Sequence, residues 1–158
     1  MILIAYDGSE DAQEAIKRAA VLFPSQPVTV LTVWQRFVES TAAAGAGMGL
    51  MVDYDAIDSA TEQAATEQAA AGVQVVRDAG LEATPRVAVA AATIAWTILA
   101  EAAAVDADAV LMGTRGLTGI RSLMLGSVSN AVVQHADRPV VIVPSAGVAE
   151  ERDKHRRG

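Results

Sequence analysis

The chain has 158 residues, of which 52% are hydrophobic and none is cysteine, and its formal net charge at pH 7 is −7. This length suits one domain with a single core, and the lack of cysteine excludes disulfides and thiol chemistry. The negative charge argues against nucleic acid or an anionic membrane as a partner. Mean hydropathy is +0.31, but alanine supplies much of it, and polar residues interrupt every stretch approaching the about 18 residues of a membrane span.

The first third of the chain alternates between strand and helix patterns. Residues 1–6 are an apolar run that predicts a strand, and its lack of a basic segment leads us to expect no signal peptide and a cytoplasmic location. Residues 12–23 repeat apolar side chains at helical spacing, with Ser9 as a candidate N-cap. Asp7 is an alternative cap and an equally good candidate for ligand contact. A β-branched second strand is predicted at 27–33.

The middle of the chain contains a segment of small residues and then a long helix. Residues 38–52 are rich in glycine and alanine, which predicts a mobile loop. A helix is predicted over 53–77, with Asp53 and Asp55 where the helix dipole favours acidic side chains, and Gly80 ends it. The remaining predicted elements are a strand at 86–90, a helix at 94–105, a strand at 109–112, a helix at 128–136 and a strand at 139–143.

Strands that alternate with helices predict an α/β fold. The strands are apolar throughout, as expected for a doubly wound parallel sheet that is covered by helices on both faces. In such sheets, ligands bind beyond the carboxyl ends of the strands, at the point where the strand order reverses. If the first and fourth strands are neighbours, Asp7 and Gly113 meet at that point.

The segment from Met112 to Ser129 is the strongest functional signal in the chain. It has the spacing Gly-x2-Gly-x9-Gly-Ser, which starts at Gly113 and lies between an apolar strand and a helix. Gly113 permits close approach of a ligand to the main chain, Gly116 permits a turn, and Gly126 lets a phosphate pass over the helix start. Amides at a helix N-terminus lack intrahelical partners and bind phosphate. The predicted donors are the amides of Ser127, Val128 and Ser129 and the hydroxyls of the two serines.

The same segment also fits a simpler interpretation, in which the glycines form a long surface turn before a capped helix. Arg115 and Arg121 either supply positive charge or are solvated. Catalysis is less favoured, because the chain has only two lysines, Lys17 and Lys154, and neither follows a glycine loop. Residues 113–127 contain no carboxylate or histidine that could position a water molecule. The sequence therefore favours binding over hydrolysis.

The glycine spacing occurs together with Asp7-Gly8-Ser9 and a terminal run from Arg138 to Pro144. This combination closely resembles the universal stress protein family, and most of all its ATP-binding branch, over residues 1–144. The resemblance implies a five-stranded parallel sheet of order 3-2-1-4-5 with helices on both faces. It also implies ATP as the ligand, with Mg²⁺ as a possible companion ion, and residues 1–145 as the nucleotide-binding domain. Residues 146–158 are predicted to be a flexible charged tail.

The family's ligand positions map onto this chain residue by residue. By resemblance, Asp7 lies near the ribose or a metal-bridged phosphate, the backbone of Val33 meets adenine, and Met112 lies beside the ribose. The full set of site residues that the resemblance implies is Ala5, Asp7, Val33, Met112, Gly113, Gly116, Gly126, Ser127, Val128 and Ser129.

The favoured hypothesis is an ATP-binding stress or regulatory protein with little or no hydrolysis, in which nucleotide occupancy changes residues 38–52 or a partner surface. A nucleotide hydrolase or adenylyl-transfer enzyme on the same fold is the alternative, and a nucleotide-free dimerisation module is a third. The last strand, Val140 to Val143, is apolar and lies at a sheet edge in the inferred order. Such an edge favours a homodimer formed by strand pairing, as the resemblance also implies.

Three further side chains are interpreted as packing groups. His135 lies on the apolar stripe of the fourth helix and is expected to be packed rather than catalytic. Trp34 and Trp96 are expected to serve packing or an interface rather than base stacking.

Overall fold

The computed structural model describes residues 1–37, 53–117 and 125–157. Strands and helices alternate through these ranges, in the order that the hydrophobic pattern predicts. The strands are β1 Ile2–Ala5, β2 Val28–Trp34, β3 Ala83–Val89, β4 Ala109–Gly113 and β5 Val140–Val143. The helices are α1 Glu10–Leu22, α2 Tyr54–Asp78, α3 Ile94–Ala104, α4 Ser127–His135 and α5 Ala146–Arg157. The predicted loop at 38–52 and the predicted role of Arg121 lie outside the described residues.

The five strands form one parallel sheet of order β3-β2-β1-β4-β5, which confirms the predicted topology. β1 lies at the centre, where Ala5 pairs with Leu31 on one side and with Met112 on the other. The chain moves outward from β1 through β2 to β3 and then crosses back to β4. The strand order therefore reverses between β1 and β4, at the edge where both strands end.

Two apolar layers cover the sheet, one on each face. In β1, Ile2, Ile4 and the following Tyr6 join the layer formed with α1 and α2. Leu3 and Ala5 belong to the opposite layer, with α3 and α4. This alternation follows from the strand geometry, in which successive side chains point to opposite faces. A strand buried on both faces must be apolar at every position, and β1 is.

Short polar side chains cap the starts of α1, α2 and α3, and a glycine follows the end of α2. Ser9 is the N-cap of α1, since its Oγ accepts the Ala12 amide at 3.2 Å, as predicted. The alternative of Asp7 as the cap is wrong. Asp53 caps α2 in the same way. Gly80, at φ +86°, follows α2 in the left-handed conformation expected after a helix end.

Two segments differ most from the sequence predictions. β3 begins at Ala83, three residues before the predicted start, and includes Pro85. Proline is tolerated because β3 is an edge strand. The segment expected to be a frayed end is helix α5, with Val148 buried and Asp153 paired with arginines three and four residues later. No helix in the described ranges is long and apolar enough to cross a membrane.

Candidate functional site

A cavity of about 550 Å³ opens where the strand order reverses, beyond the carboxyl ends of β1 and β4. All the residues that the family resemblance implied line it. Eight further residues of the described ranges also line it: Tyr6, Ala12, Leu31, Ile94, Ile98, Arg115, Leu117 and Leu125. The fold therefore brings the ends of β1, β2 and β4 together with the starts of α3 and α4.

One side of the cavity is apolar. Leu31 and Val33 reach it from β2, Met112 from β4, and Ile94 and Ile98 from α3. The two isoleucines are one helical turn apart, so both point to the same side of α3. Their helical spacing in the sequence indicates a buried helix face but does not indicate a place in the site. Their spacing was visible, but their position opposite β2 depends on the fold.

The opposite side of the cavity is formed by the N-terminus of α4. Gly126 is the N-cap, with φ −64° and ψ 160°, and it supplies no side-chain cap. Within the described ranges, the amides of Ser127, Val128 and Ser129 have no hydrogen-bond acceptor. Helix N-termini carry partial positive charge, and Arg115 also lines the cavity. This side of the cavity is therefore suited to an anion. The apolar side described above lies across the cavity from it.

Gly113 is required by packing within the protein. A Cβ at this position would lie 2.5 Å from the Asp11 Cβ and 3.0 Å from the Ala12 backbone nitrogen. The first turn of α1 rests directly on the end of β4, and only glycine leaves room for it. Gly113 still lines the cavity, but the close approach there is between two parts of the chain.

Gly116 provides space for the carboxylate of Asp7. A Cβ on Gly116 would lie 2.5 Å from Asp7 Oδ2. This carboxylate accepts the Ser9 amide at 3.0 Å and the Leu117 amide at 3.2 Å. Asp7 thus connects the end of β1 to the loop after β4, beside the anion-suited end of the cavity.

Some polar groups near Gly126 form hydrogen bonds within the protein, and others line the cavity. The Gly126 amide donates to the Thr114 carbonyl at 2.8 Å, and the Ser129 hydroxyl donates to the same oxygen at 2.8 Å. Ser129 is buried, so its hydroxyl proton is used inside the protein. This hydroxyl is thus engaged within the protein, whereas Ser127 is exposed and lines the cavity.

Tyr6 lines the cavity but is not among the site residues predicted from the sequence. Burial, together with the negative charge of Asp7, raises the pKa of its phenol above the ordinary value of 10.0. Its ring packs against α2 at Gly72, where a Cβ would lie 2.7 Å from the Tyr6 Cδ1 atom. A glycine in the interior of a long helix is the one sequence signal that could have indicated this close contact.

His135 is exposed and not packed in the interior as expected. It stacks on Trp96, with ring centroids 5.0 Å apart and planes inclined by 23°. Trp96 is itself 53% exposed, whereas Trp34 is half-buried. His135 therefore contacts the first turn of α3 through Trp96, at the surface of the protein.

Metal-binding groups are sparse near the cavity. The described part of the chain contains no cluster of three or more histidine, cysteine, aspartate or glutamate side chains placed to hold a metal ion. Asp7 is the carboxylate among the described residues that line the cavity. One carboxylate fits an ion that a bound phosphate group also coordinates.

A doubly wound sheet with a helix N-terminus at its switch point defines an α/β domain suited to anionic ligands. The family model of the universal stress protein family matches residues 1–144, and the chain belongs to this family. It is 30% identical over 151 residues to the universal stress protein YxiE of Bacillus subtilis (strain 168), covering 90% of this chain and 97% of that protein.

Solved structures share the fold. The hypothetical protein MJ0577 is 21% identical with a TM-score of 0.72, over 90% of this chain and 94% of its own. The universal stress protein from Archaeoglobus fulgidus in complex with dAMP is 25% identical with a TM-score of 0.59, over 90% of this chain and 95% of its own. UspA from Lactobacillus plantarum is 20% identical with a TM-score of 0.70, over the same shares.

Proposed function

We propose that this protein binds ATP in the cavity between β1 and β4 and acts as a cytoplasmic regulatory or stress-response protein. The observation that carries the proposal is the pairing of three amides, at Ser127, Val128 and Ser129, which have no acceptor among the described residues, with an apolar surface across the cavity. A nucleotide has the matching two ends, since its base is largely apolar on its faces and its phosphates are anionic.

The cavity suggests an orientation for the nucleotide. The base would lie between Val33 and Ile98, and the phosphates would accept hydrogen bonds from the start of α4. Asp7 also lines the cavity, and its carboxylate would accept a ribose hydroxyl or contact Mg²⁺ bound to the phosphates. The dAMP complex of the Archaeoglobus fulgidus relative supports an adenine nucleotide as the ligand class.

Binding without rapid hydrolysis is the favoured form of this function. Phosphoryl transfer requires a metal, positive groups around the phosphates and an oriented nucleophile. Among the described residues lining the cavity, Asp7 is the candidate for orienting water, and its carboxylate already accepts two amides. ATP turnover in the presence of Mg²⁺ would instead support the alternative of a hydrolase or adenylyl-transfer enzyme.

We also propose that two copies of the chain form a homodimer through β5. This strand is an edge of the sheet, and all four of its side chains are apolar. Unpaired backbone groups on such an edge favour pairing with another strand.

The test places a negative charge at the start of α4 without disturbing the helix. Ser127 is exposed and lies at the first helical position, where the dipole favours an acid by roughly 0.3–1 kcal/mol. We expect Ser127→Glu to fold with equal or higher thermal stability. ATP affinity, measured by calorimetric titration, should fall at least about tenfold, because the carboxylate repels the phosphates at short range.

The matched control is Gln134→Glu, which adds the same charge to the other end of α4. Gln134 is exposed and does not line the cavity. Its variant should bind ATP like the wild type. Equal ATP affinity in the wild type and Ser127→Glu, or no ATP binding by the wild type, would contradict the proposed site.

A further inference from the structure

Thr114, the residue directly after β4, is completely buried and uses every polar group it has. Its amide donates to the Val143 carbonyl at 3.0 Å, and its hydroxyl donates to the Asp11 carboxylate. Its carbonyl accepts two bonds from α4, one from the Gly126 amide and one from the Ser129 hydroxyl, both at 2.8 Å. One residue therefore connects the start of α1, the end of β5 and the start of α4.

The two bonds to the Thr114 carbonyl determine where α4 begins. They use the Gly126 amide and the Ser129 hydroxyl, which flank the three amides that remain available to a ligand. Helix α4 has no side-chain cap at Gly126, and among the described residues the Thr114 carbonyl accepts the bonds that join this terminus to the end of β4. The direction of the free amides depends on this carbonyl.

Asp11 holds Thr114 from the other side. Asp11 is only 6% exposed and does not line the cavity, so its carboxylate is placed to contact Thr114 rather than a ligand. It lies in the first turn of α1, where the helix dipole stabilises a carboxylate. The absence of a side chain at Gly113 allows this turn to approach closely enough for the bond.

We propose that Asp11 and Thr114 form a positioning pair, which orients the N-terminal amides of α4 toward the phosphates of the nucleotide. Neither side chain touches the ligand. This inference rests on the proposed function, since it assigns the pair a role in ATP binding at the same site. The pair acts on the phosphate end of the cavity alone, because the apolar surface that receives the base comes from β2 and α3.

The experiment compares ATP with adenosine, which has the base and ribose but no phosphate. Thr114→Val and Asp11→Ala each remove one half of the buried bond. We expect both variants to lose about tenfold in ATP affinity while adenosine affinity, measured by competition calorimetry, stays within about twofold of the wild type. The double variant should lose no more than either single variant, since the same bond is removed. Thr114→Ser keeps the hydroxyl and should bind ATP like the wild type.

The outcomes separate the two proposals. A wild type that does not bind ATP would overturn the proposed function. A wild type that binds ATP, together with folded Thr114→Val and Asp11→Ala variants that keep its ratio of ATP to adenosine affinity, would overturn the positioning pair alone. Equal losses for ATP and adenosine would also overturn it, because they would indicate a general structural role. If Thr114→Val does not fold, the ratio measured with Asp11→Ala decides the question.

Discussion

At the scale of single residues, the glycines of the motif serve packing as much as ligand access. Gly113 leaves room for the first turn of α1, and Gly116 leaves room for the Asp7 carboxylate. Gly126 approaches the Thr114 carbonyl, which a Cβ there would meet at 3.3 Å. The glycine spacing thus reflects the close packing of the segment after β4 against other parts of the protein.

This interpretation predicts that Gly113→Ala destabilises the fold. The new methyl group would overlap Asp11, and overpacking of this kind costs about 1–3 kcal/mol. The free energy of unfolding, measured with urea, should fall by that amount. Gly147→Ala is the matched control, because a Cβ there meets nothing within 4 Å and its stability should stay equal or rise. A Gly113→Ala variant of wild-type stability would contradict the packing role.

At the scale of elements, the end of α3 contains a strained residue. Asp106 has φ +50°, and among the described non-glycine residues it alone has a positive φ. Asp106 directly follows the C-cap residue of α3, just as Gly80 directly follows the C-cap residue of α2. The amides of Asp106 and Ala107 close the helix by donating to the carbonyls of Ala103 and Ala102. The left-handed conformation costs roughly 1–2 kcal/mol for residues with a Cβ.

Asp106→Gly should therefore stabilise the protein by up to about 1 kcal/mol, since glycine adopts this conformation without a steric cost. Thermal unfolding followed by circular dichroism would detect the rise in midpoint. Asp106→Ala is the control and should be less stable than Asp106→Gly, because it keeps the Cβ. A glycine variant that is less stable than the wild type would show that the aspartate side chain contributes more than its backbone strain costs.

At the scale of the whole molecule, the two edges of the sheet differ. The Glu82 carbonyl and the Ala90 amide bond to β2. Because the backbone groups of successive residues in a strand point in opposite directions, the odd-numbered residues between Glu82 and Ala90 direct their backbone groups away from β2. Pro85 is one of these, so the edge at β3 presents one amide fewer. The Pro139 and Val143 carbonyls bond to the β4 side, which leaves the backbone groups of Val140 and Ile142 facing outward. The edge at β5 has no proline within the strand and no charge.

This difference predicts that the proposed homodimer forms through β5 and not through β3. We expect the wild type to be a dimer at micromolar concentration by light scattering coupled to size exclusion. Ile142→Pro removes an outward amide from β5 and should give a folded monomer. Val87→Pro makes the same change at an outward position of β3 and should remain a dimer. A monomeric wild type, or a dimer that is lost only with Val87→Pro, would count against pairing through β5.

The order of the strands and helices was predictable because burial imposes a period on the sequence. β1 and β4 are apolar at consecutive positions, which requires a sheet covered on both faces. The boundaries of β3 were less predictable, since Pro85 is compatible with a strand only at an edge. The helix at the charged end was not predicted, because many charged residues at a terminus are typical of a solvated segment and the burial of Val148 depends on the fold.

By itself, the sequence determined the α/β architecture and the place of the candidate site, because periodicity and glycine spacing are local properties of the chain. Only the tertiary structure decided what each group in the site contacts. Gly113 meets α1, the Ser129 hydroxyl bonds to Thr114, and His135 lies outside the core. These contacts join residues that are distant in sequence or depend on how the helices end against one another. No local pattern encodes them.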